Sequence, residues 1–494
     1  MSHINYILKS AFIIFLASLI ARILGYITKV IIARGNQEIY GLYSLGNSII
    51  LFLVPLVVLG LNMGLNRYLG FYHGKNQKDK ANLAISTALK IVIPLSIALF
   101  LVLFFFSNQI SHLFKTENLD LTLKLFSILI PLTAISYLFF SILTVNKKIK
   151  QLVFTRDILQ GTLEMIFVII VVYLGLNITG IAFALILSSI LAIIFSFNYC
   201  KNLFSFKIKG FDKSLLQFSL SAFIIFVFVD IINKIDTIIL GHYVNINQIA
   251  VYNVAVPTAQ MILIFSLSLL AVFLPTITEK HAQKKSISEE YKSVTRWTLL
   301  LTYPIALLMV IFSTKIIEIL FGQNYISAAF PLSILAFSLF LLSLSRPAYN
   351  VLLMLKKTNL LIKLSLAIII IDIILNFLLV KLMISNNLPG MYGSAIATGF
   401  SFILLSILTS RYAHKYTKIR IFNKNELKII LSGIIATLPL ILIKILSNNE
   451  SLFHIAIYLI IFLVIYIIML FLLNCFDKED KRIFDLVKNK LINK

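Results

Sequence analysis

The chain has 494 residues, 60% of them hydrophobic, and a mean hydropathy of +0.97, a composition that excludes a soluble globular domain. Its formal charge of +24, from 44 Lys and Arg against 20 Asp and Glu, would suit a nucleic-acid partner only as a patch on a soluble surface. The cations instead sit in short loops between apolar runs, which excludes that partner and points to membrane lipids with anionic headgroups.

Long unbroken apolar runs predict an all-α polytopic membrane protein and not a barrel, whose strands would alternate over about ten residues. Fourteen transmembrane helices are expected near 11–33, 41–64, 83–107, 122–145, 157–175, 179–197, 215–239, 247–274, 297–315, 327–352, 361–381, 391–410, 427–446 and 453–474. The first is too long for a signal-peptide core and is expected to be retained. It carries Arg22 and Lys29, two turns apart, so both lie on one face with Ser18 and Gly25. A cation at mid-bilayer costs at least about 2.5–3.5 kcal/mol on insertion scales. That face therefore belongs in the bundle interior or a wet cavity, where each cation is either neutralised by a buried carboxylate or meets a ligand.

The third run holds Lys90 near its inner end, where lysines snorkel. Along the fifth, Asp157, Gly161 and Glu164 share a face. In the seventh, Asp230 and Lys234 are i,i+4 neighbours, either a self-contained ion pair or charges facing a cleft, with Asn233 and Asp236 on adjoining faces. In the tenth, Pro347 follows Arg346 and frees a carbonyl at depth, which the guanidinium could satisfy. Asp372 and Asn376 share a face of the eleventh. These acids either bind a coupling cation or form structural pairs. Cys200 and Cys475 suggest no disulfide, the seven His show no metal-ligand spacing, and no nucleotide-binding or nucleophile motif is present. No cofactor and no enzymatic reaction are expected.

With the N-terminus inside, the alternate segments on the N-terminal side carry 33 Lys and Arg and the opposite segments 6, which orients both termini toward the cytoplasm. The five left at membrane depth are Arg22, Lys29, Lys90, Lys234 and Arg346. "YITKVIIARGNQEIYGLYSL" at Tyr26 is echoed by "NKIDTIILGHYVNINQIAVYNV" at Asn233, and the turn at Gly180 by the one at Gly393. A parallel repeat follows: two pseudo-symmetric six-helix lobes, 1–210 and 211–424, around a central cleft, then two C-terminal helices and a basic cytoplasmic tail over 425–494.

"RILGYITKVIIARGNQEIYGLYSL" with "VVLGLNMGLNRYLGFYHGKNQKDKA" resembles the polysaccharide biosynthesis transporter family of the multidrug/oligosaccharidyl-lipid/polysaccharide exporter superfamily. The likeness rests on Arg22, Leu24, Gly25, Ala33, Arg34, Tyr40, Gly41, Leu42, Tyr43, Gly60, Gly64, Arg67 and Tyr68. It implies a flippase in the plasma membrane, moving a polyprenyl-diphosphate-linked oligosaccharide from the cytoplasmic to the outer leaflet by alternating access, alongside polysaccharide-assembly proteins. Arg22, Lys29, Lys234 and Arg346 would then replace the hydration of the diphosphate, and Asp230, Asp236, Glu164 and Asp372 could serve H+ or Na+ coupling. The alternatives fit less well. A multidrug exporter calls for an acidic site dominating the first helix, a glycan polymerase or ligase for a large outer loop. A non-transporting scaffold has no need of five cations at depth.

Overall fold

The computed structural model describes residues 3–203, 210–232, 234–419, 424–446 and 452–476. Side chains at 3–14, 222, 224–232, 271–272, 442–446, 452–453 and 455–456 are outside the described set. Among the described residues every regular element is a helix. They are α1 (His3–Gly35), α2 (Gln37–Val58), α3 (Leu61–Gly74), α4 (Lys78–Phe114), α5 (Leu119–Phe126), α6 (Leu129–Val145), α7 (Ile149–Val153), α8 (Gln160–Tyr173), α9 (Ile178–Cys200) and α10 (Lys213–Ile232). There follow α11 (Ile235–Tyr243), α12 (Ile246–Gln260), α13 (Leu263–Ala282), α14 (Ser288–Ile311), α15 (Ser313–Phe321), α16 (Ala329–Met354), α17 (Thr358–Ser385), α18 (Gly390–Thr417), α19 (Lys424–Leu446) and α20 (Leu452–Leu472). A π-helical turn, Phe154–Leu159, joins α7 to α8, and a 3-10 turn, Gln323–Ala328, precedes α16.

Ten stretches are long and apolar enough to cross a bilayer among the described residues, where fourteen were expected. The chain is nonetheless helical over the other four expected spans. The fifth carries Arg156, Asp157 and Glu164 around its π-helical turn, and the seventh is broken between Ile232 and Ile235. Because of that break Asp230 and Lys234 do not lie on one continuous helix. The basic tail beyond 476 and the Asp230 side chain lie outside the described residues.

Packing divides the chain into two compact units, each assembled from separate stretches of sequence. Unit 1 comprises Met1–Thr258, Ile317–Pro331 and Ser365–Ser401. Unit 2 comprises Ala259–Ile316, Leu332–Leu364 and Phe402–Lys494. Between helices in lipid there is little hydrophobic driving force, so close contact through small residues and hydrogen bonds holds the units together.

Unit 1 shows this at the seat of α10. α2 ends at Leu59 and Gly60, both with left-handed backbone (φ 49° and 70°). A Cβ at Gly60 would lie 2.5 Å from the Ser219 carbonyl oxygen, and one at Gly64 2.0 Å from Ser219 Oγ. The two glycines thus let α10 lie directly on the α2–α3 corner. Arg67 stacks over Phe218 at 4.3 Å, and Tyr72 donates to the buried carboxylate of Asp212 at 2.8 Å. Gly180 and Gly393 also occupy matching places: each lies in the first turn of the second helix of a hairpin, with no room for a Cβ against the helix before it.

In unit 2, Tyr291, Phe273, Ile277, Ala348, Val351 and Leu352 form a buried cluster joining α13, α14 and α16. The appended pair α19 and α20 is fixed to α14, with Tyr303 against Gly433 and Tyr466 donating to the Leu300 carbonyl.

Candidate functional site

α1 presents three different faces. Leu16, Ile20, Ile23 and Ile27, exposed by 39–46%, form an apolar stripe at i, i+4, i+7 and i+11, suited to lipid. Leu24 and Gly35 face α8, Leu24 against Gly161 and Gly35 against Val172. On the third face, at the same helical spacing, lie Ser18, Arg22, Gly25 and Lys29. A Cβ at Gly25 would meet nothing within 4 Å, so this face borders open space. Arg22 is exposed and has neither hydrogen bond, ion pair nor ring contact with the described residues. Lys29 is half-buried and coupled electrostatically to Glu164 of α8 and to Lys234, the residue leading into α11. Tyr43 of α2 adjoins Glu164.

The stripe is closed at the end where α1 terminates. Tyr26 Oη and Thr258 Oγ1 are 2.9 Å apart, and the Tyr26 ring meets Phe321 edge-on at 6.2 Å. Beyond them Tyr40 donates to the Asn253 carbonyl (2.8 Å) and Tyr325 to the Ala33 carbonyl (2.9 Å). Arg34 donates from Nε to Leu320 O at 2.9 Å and from its guanidinium to Ile319 O. These are terminal carbonyls of α15, where a cation is favoured by both the unsatisfied acceptors and the helix dipole. Asn36 supports the turn by capping α2, its Oδ1 accepting from Ile39 N at 3.1 Å.

A second polar group lies on α11, α12, α17 and α18. Asp236, 4% exposed, accepts from Tyr252 Oη at 2.6 Å and from Thr237 N at 2.7 Å. Asp372, 2% exposed, has no well-formed hydrogen bond on either carboxylate oxygen among the described residues, the Ser401 hydroxyl being its neighbouring donor, and the Thr398 hydroxyl lies against Tyr252. Asp236 acts on Asp372 electrostatically, and Lys234 acts on Asp236. Asn376 accepts from Ser394. Two buried carboxylates with hydroxyls and an amide oxygen form an all-oxygen donor set. A bare buried carboxylate is costly, and a hard cation or a proton relieves it.

The structure therefore brings Arg22, Lys29, Glu164 and Lys234 to one region of unit 1, and Asp236 and Asp372 to an adjoining one. Arg346 belongs to unit 2, where it is half-buried beside Tyr349 with Nε unpartnered. Asp157 is held by its neighbour Arg156 through two bonds of 2.9 and 2.8 Å. Lys90 is exposed and reaches the Gly210 carbonyl at 3.5 Å, as a snorkelling lysine would. Sequence reasoning missed Tyr252, Thr398 and Ser401. The signal for the last two was present in "GSAIATGFS", where Ser394, Thr398 and Ser401 recur every three or four residues and so share a helical face.

A family model described as "Polysaccharide biosynthesis protein" matches residues 40–330. An uncharacterized membrane protein of Methanocaldococcus jannaschii is 25% identical over 461 residues, covering 88% of this chain and 89% of that one. Among solved structures, the lipid II flippase MurJ in an inward closed conformation has a TM-score of 0.73 at 18% identity, covering 92% of this chain and 97% of MurJ. An inward-facing multidrug resistance MATE family transporter of the MOP superfamily has a TM-score of 0.66 at 12% identity, covering 83% and 98%. At these identities the structural likenesses establish the fold.

Proposed function

The chain belongs to the polysaccharide biosynthesis protein family and has the fold of a multi-pass membrane transporter, and from that premise we propose that it flips a polyprenyl-diphosphate-linked oligosaccharide from the cytoplasmic to the outer leaflet of the plasma membrane. Both termini face the cytoplasm in this reading. The diphosphate is the one strongly charged part of such a lipid, and crossing the hydrocarbon requires substitutes for its lost hydration. Arg22, Lys29 and Lys234 supply them in unit 1, and Arg346 is the fourth cation of the proposal. The prenyl tail stays in lipid, and the chain makes or breaks no bond.

The observation that carries this reading is Arg22: a guanidinium at membrane depth, exposed and with no partner among the described residues. The contacts of Tyr26, Arg34, Tyr40 and Tyr325 close the end where α1 terminates, so substrate enters from the end where α1 begins, which the charge bias assigns to the cytoplasm. Asp236 and Asp372 hold the coupling H+ or Na+, and Asp230, one turn before the break in the seventh span, remains a further candidate.

The test is flipping of a fluorescent prenyl-diphosphate oligosaccharide by purified protein in liposomes. Each charge-assisted bond contributes about 1.5–3 kcal/mol, so losing a bidentate pair in Arg22→Ala should cost at least about a hundredfold in apparent affinity. The folded yield should be unchanged. Arg22→Lys should keep partial function, because the charge survives but the planar fork does not. Normal flipping by Arg22→Ala, or its failure to fold, overturns the reading.

A further inference from the structure

Glu164 is half-buried on α8 with no hydrogen bond and no close ion pair among the described residues, and its electrostatic partner is Lys29. α1 and α8 run parallel in a fixed register, for Leu24 meets Gly161 and Gly35 meets Val172 with the same offset in residue number. In that register Lys29 falls level with Ile166. Its side chain, swept back toward the start of the helix as helical side chains are, comes down to the level of Glu164. Helical phase puts both residues on the same flank of the α1–α8 seam, beside the open face that carries Arg22 and Gly25. The other acid on that face of α8, Asp157, is already claimed by Arg156. Among the described residues Tyr43 also couples to Glu164, and Lys234 couples to Lys29. α9, also packed on α8, offers only Tyr199 and Cys200 at its far end.

We propose that Glu164 is a placeholder anion: it balances Lys29 while the site is empty and is displaced electrostatically when the diphosphate arrives. This rests on the flippase reading above. Without Glu164, Lys29 would meet Lys234, which itself acts on Asp236, as a like charge at membrane depth with no carboxylate of its own among the described residues, an arrangement that costs both solvation and repulsion. With it, the charge of Lys29 is offset in the empty site, and a ligand must carry more negative charge than one carboxylate to win Lys29. A diphosphate does so; a neutral isoprenoid does not. Once the diphosphate is bound, Glu164 is a like charge beside it and favours its release. The same residue thus selects for charge and prevents the substrate from being trapped. Glu164 is a positioning and specificity residue acting through Lys29, not a ligand of the substrate.

The experiment is calorimetric titration of the purified full chain with farnesyl diphosphate, with farnesol as the uncharged control, for wild type, Lys29→Ala, Glu164→Gln, Glu164→Asp and the Lys29→Ala/Glu164→Gln pair. Wild type should bind the diphosphate and not farnesol, and Lys29→Ala should bind it more weakly. Glu164→Gln should bind it roughly tenfold more tightly, the scale of one screened charge–charge interaction, while its flipping rate at saturating substrate falls. Glu164→Asp should restore both values toward wild type. In the Lys29→Ala background the tightening should vanish, because the acid acts through that lysine. Absence of farnesyl diphosphate binding by wild type overturns the flippase reading and this proposal together. Binding by wild type with equal or weaker binding by Glu164→Gln overturns the placeholder alone, as does an undiminished tightening without Lys29.

Discussion

Replacing Gly60 by Ala adds one methyl group at the corner where α10 rests on α2 and α3. Two costs follow. The backbone there has φ 70°, and a left-handed residue with a Cβ is disfavoured by about 1–2 kcal/mol. The new Cβ would also lie 2.5 Å from the Ser219 carbonyl oxygen and 2.8 Å from the Phe223 nitrogen. Both are backbone atoms, which no rotamer change can move, so α10 itself must shift outward by about 1 Å, an overpacking cost of about 1–3 kcal/mol. The sum is about 2–5 kcal/mol of destabilisation. Gly70 is the internal control: it lies within α3 with nothing inside 4 Å of its would-be Cβ, and Ala there should stabilise by about 0.5–1 kcal/mol. Gly64 offers a finer contrast, since its conflict is with Ser219 Oγ at 2.0 Å. Ser219→Ala should therefore relieve Gly64→Ala and leave Gly60→Ala unrelieved. The assay is the temperature at which half the detergent-purified protein leaves the monodisperse peak. Equal midpoints for the Gly60 and Gly70 variants, or rescue of Gly60→Ala by Ser219→Ala, would refute this account of the seat.

Arg34→Ala removes two donors from the α15 carbonyls, worth about 1–2 kcal/mol at an exposed position. A cysteine placed at Ala328, which is 0% exposed, should then react about tenfold faster with a water-soluble maleimide, because the closed end opens more often; an unchanged rate removes the latch. Adding Na+ at fixed pH, or protons at fixed Na+, should raise the thermal midpoint of wild type by filling the Asp236–Asp372 site. At a hundredfold excess over the dissociation constant the gain is about 2.7 kcal/mol. Asp372→Asn should abolish that rise without lowering the cation-free midpoint, and a retained rise would place the cation elsewhere.

The helical class, the membrane placement and the cationic face of α1 were legible because each is a local pattern: run length, and a 3.6-residue period that puts Ser18, Arg22, Gly25 and Lys29 in line. Matching glycines at 180 and 393 were legible for a similar reason, since a hairpin this tight tolerates no side chain. What could not be read were relations between distant segments. Nothing in the seventh run announces that the helix breaks beside Lys234, because no proline or glycine marks it. Asp157 and Glu164 look alike in sequence. Only their neighbours differ, Arg156 being folded onto the first while the second has no close partner among the described residues. Tyr252 is one of 20 tyrosines, and only the fold shows that its hydroxyl is tied to Asp236.

The interruption between α10 and α11 leaves Lys234 answerable to two sites at once, since it senses Lys29 on one side and Asp236 on the other. Under the proposed function, a positive charge taken up between Asp236 and Asp372 would displace part of the pull that Asp236 exerts on Lys234 and turn that ammonium toward an arriving anion. Thermodynamic linkage then requires reciprocity: whatever factor the cation adds to diphosphate affinity, the diphosphate adds to cation affinity. On the flippase reading, Lys234 would thereby convert an ion gradient into a bias on lipid occupancy, and lipid supply into a bias on the ion. Its strength is one measurable number, the ratio of diphosphate dissociation constants with and without the ion, and in Lys234→Met that ratio should fall to one.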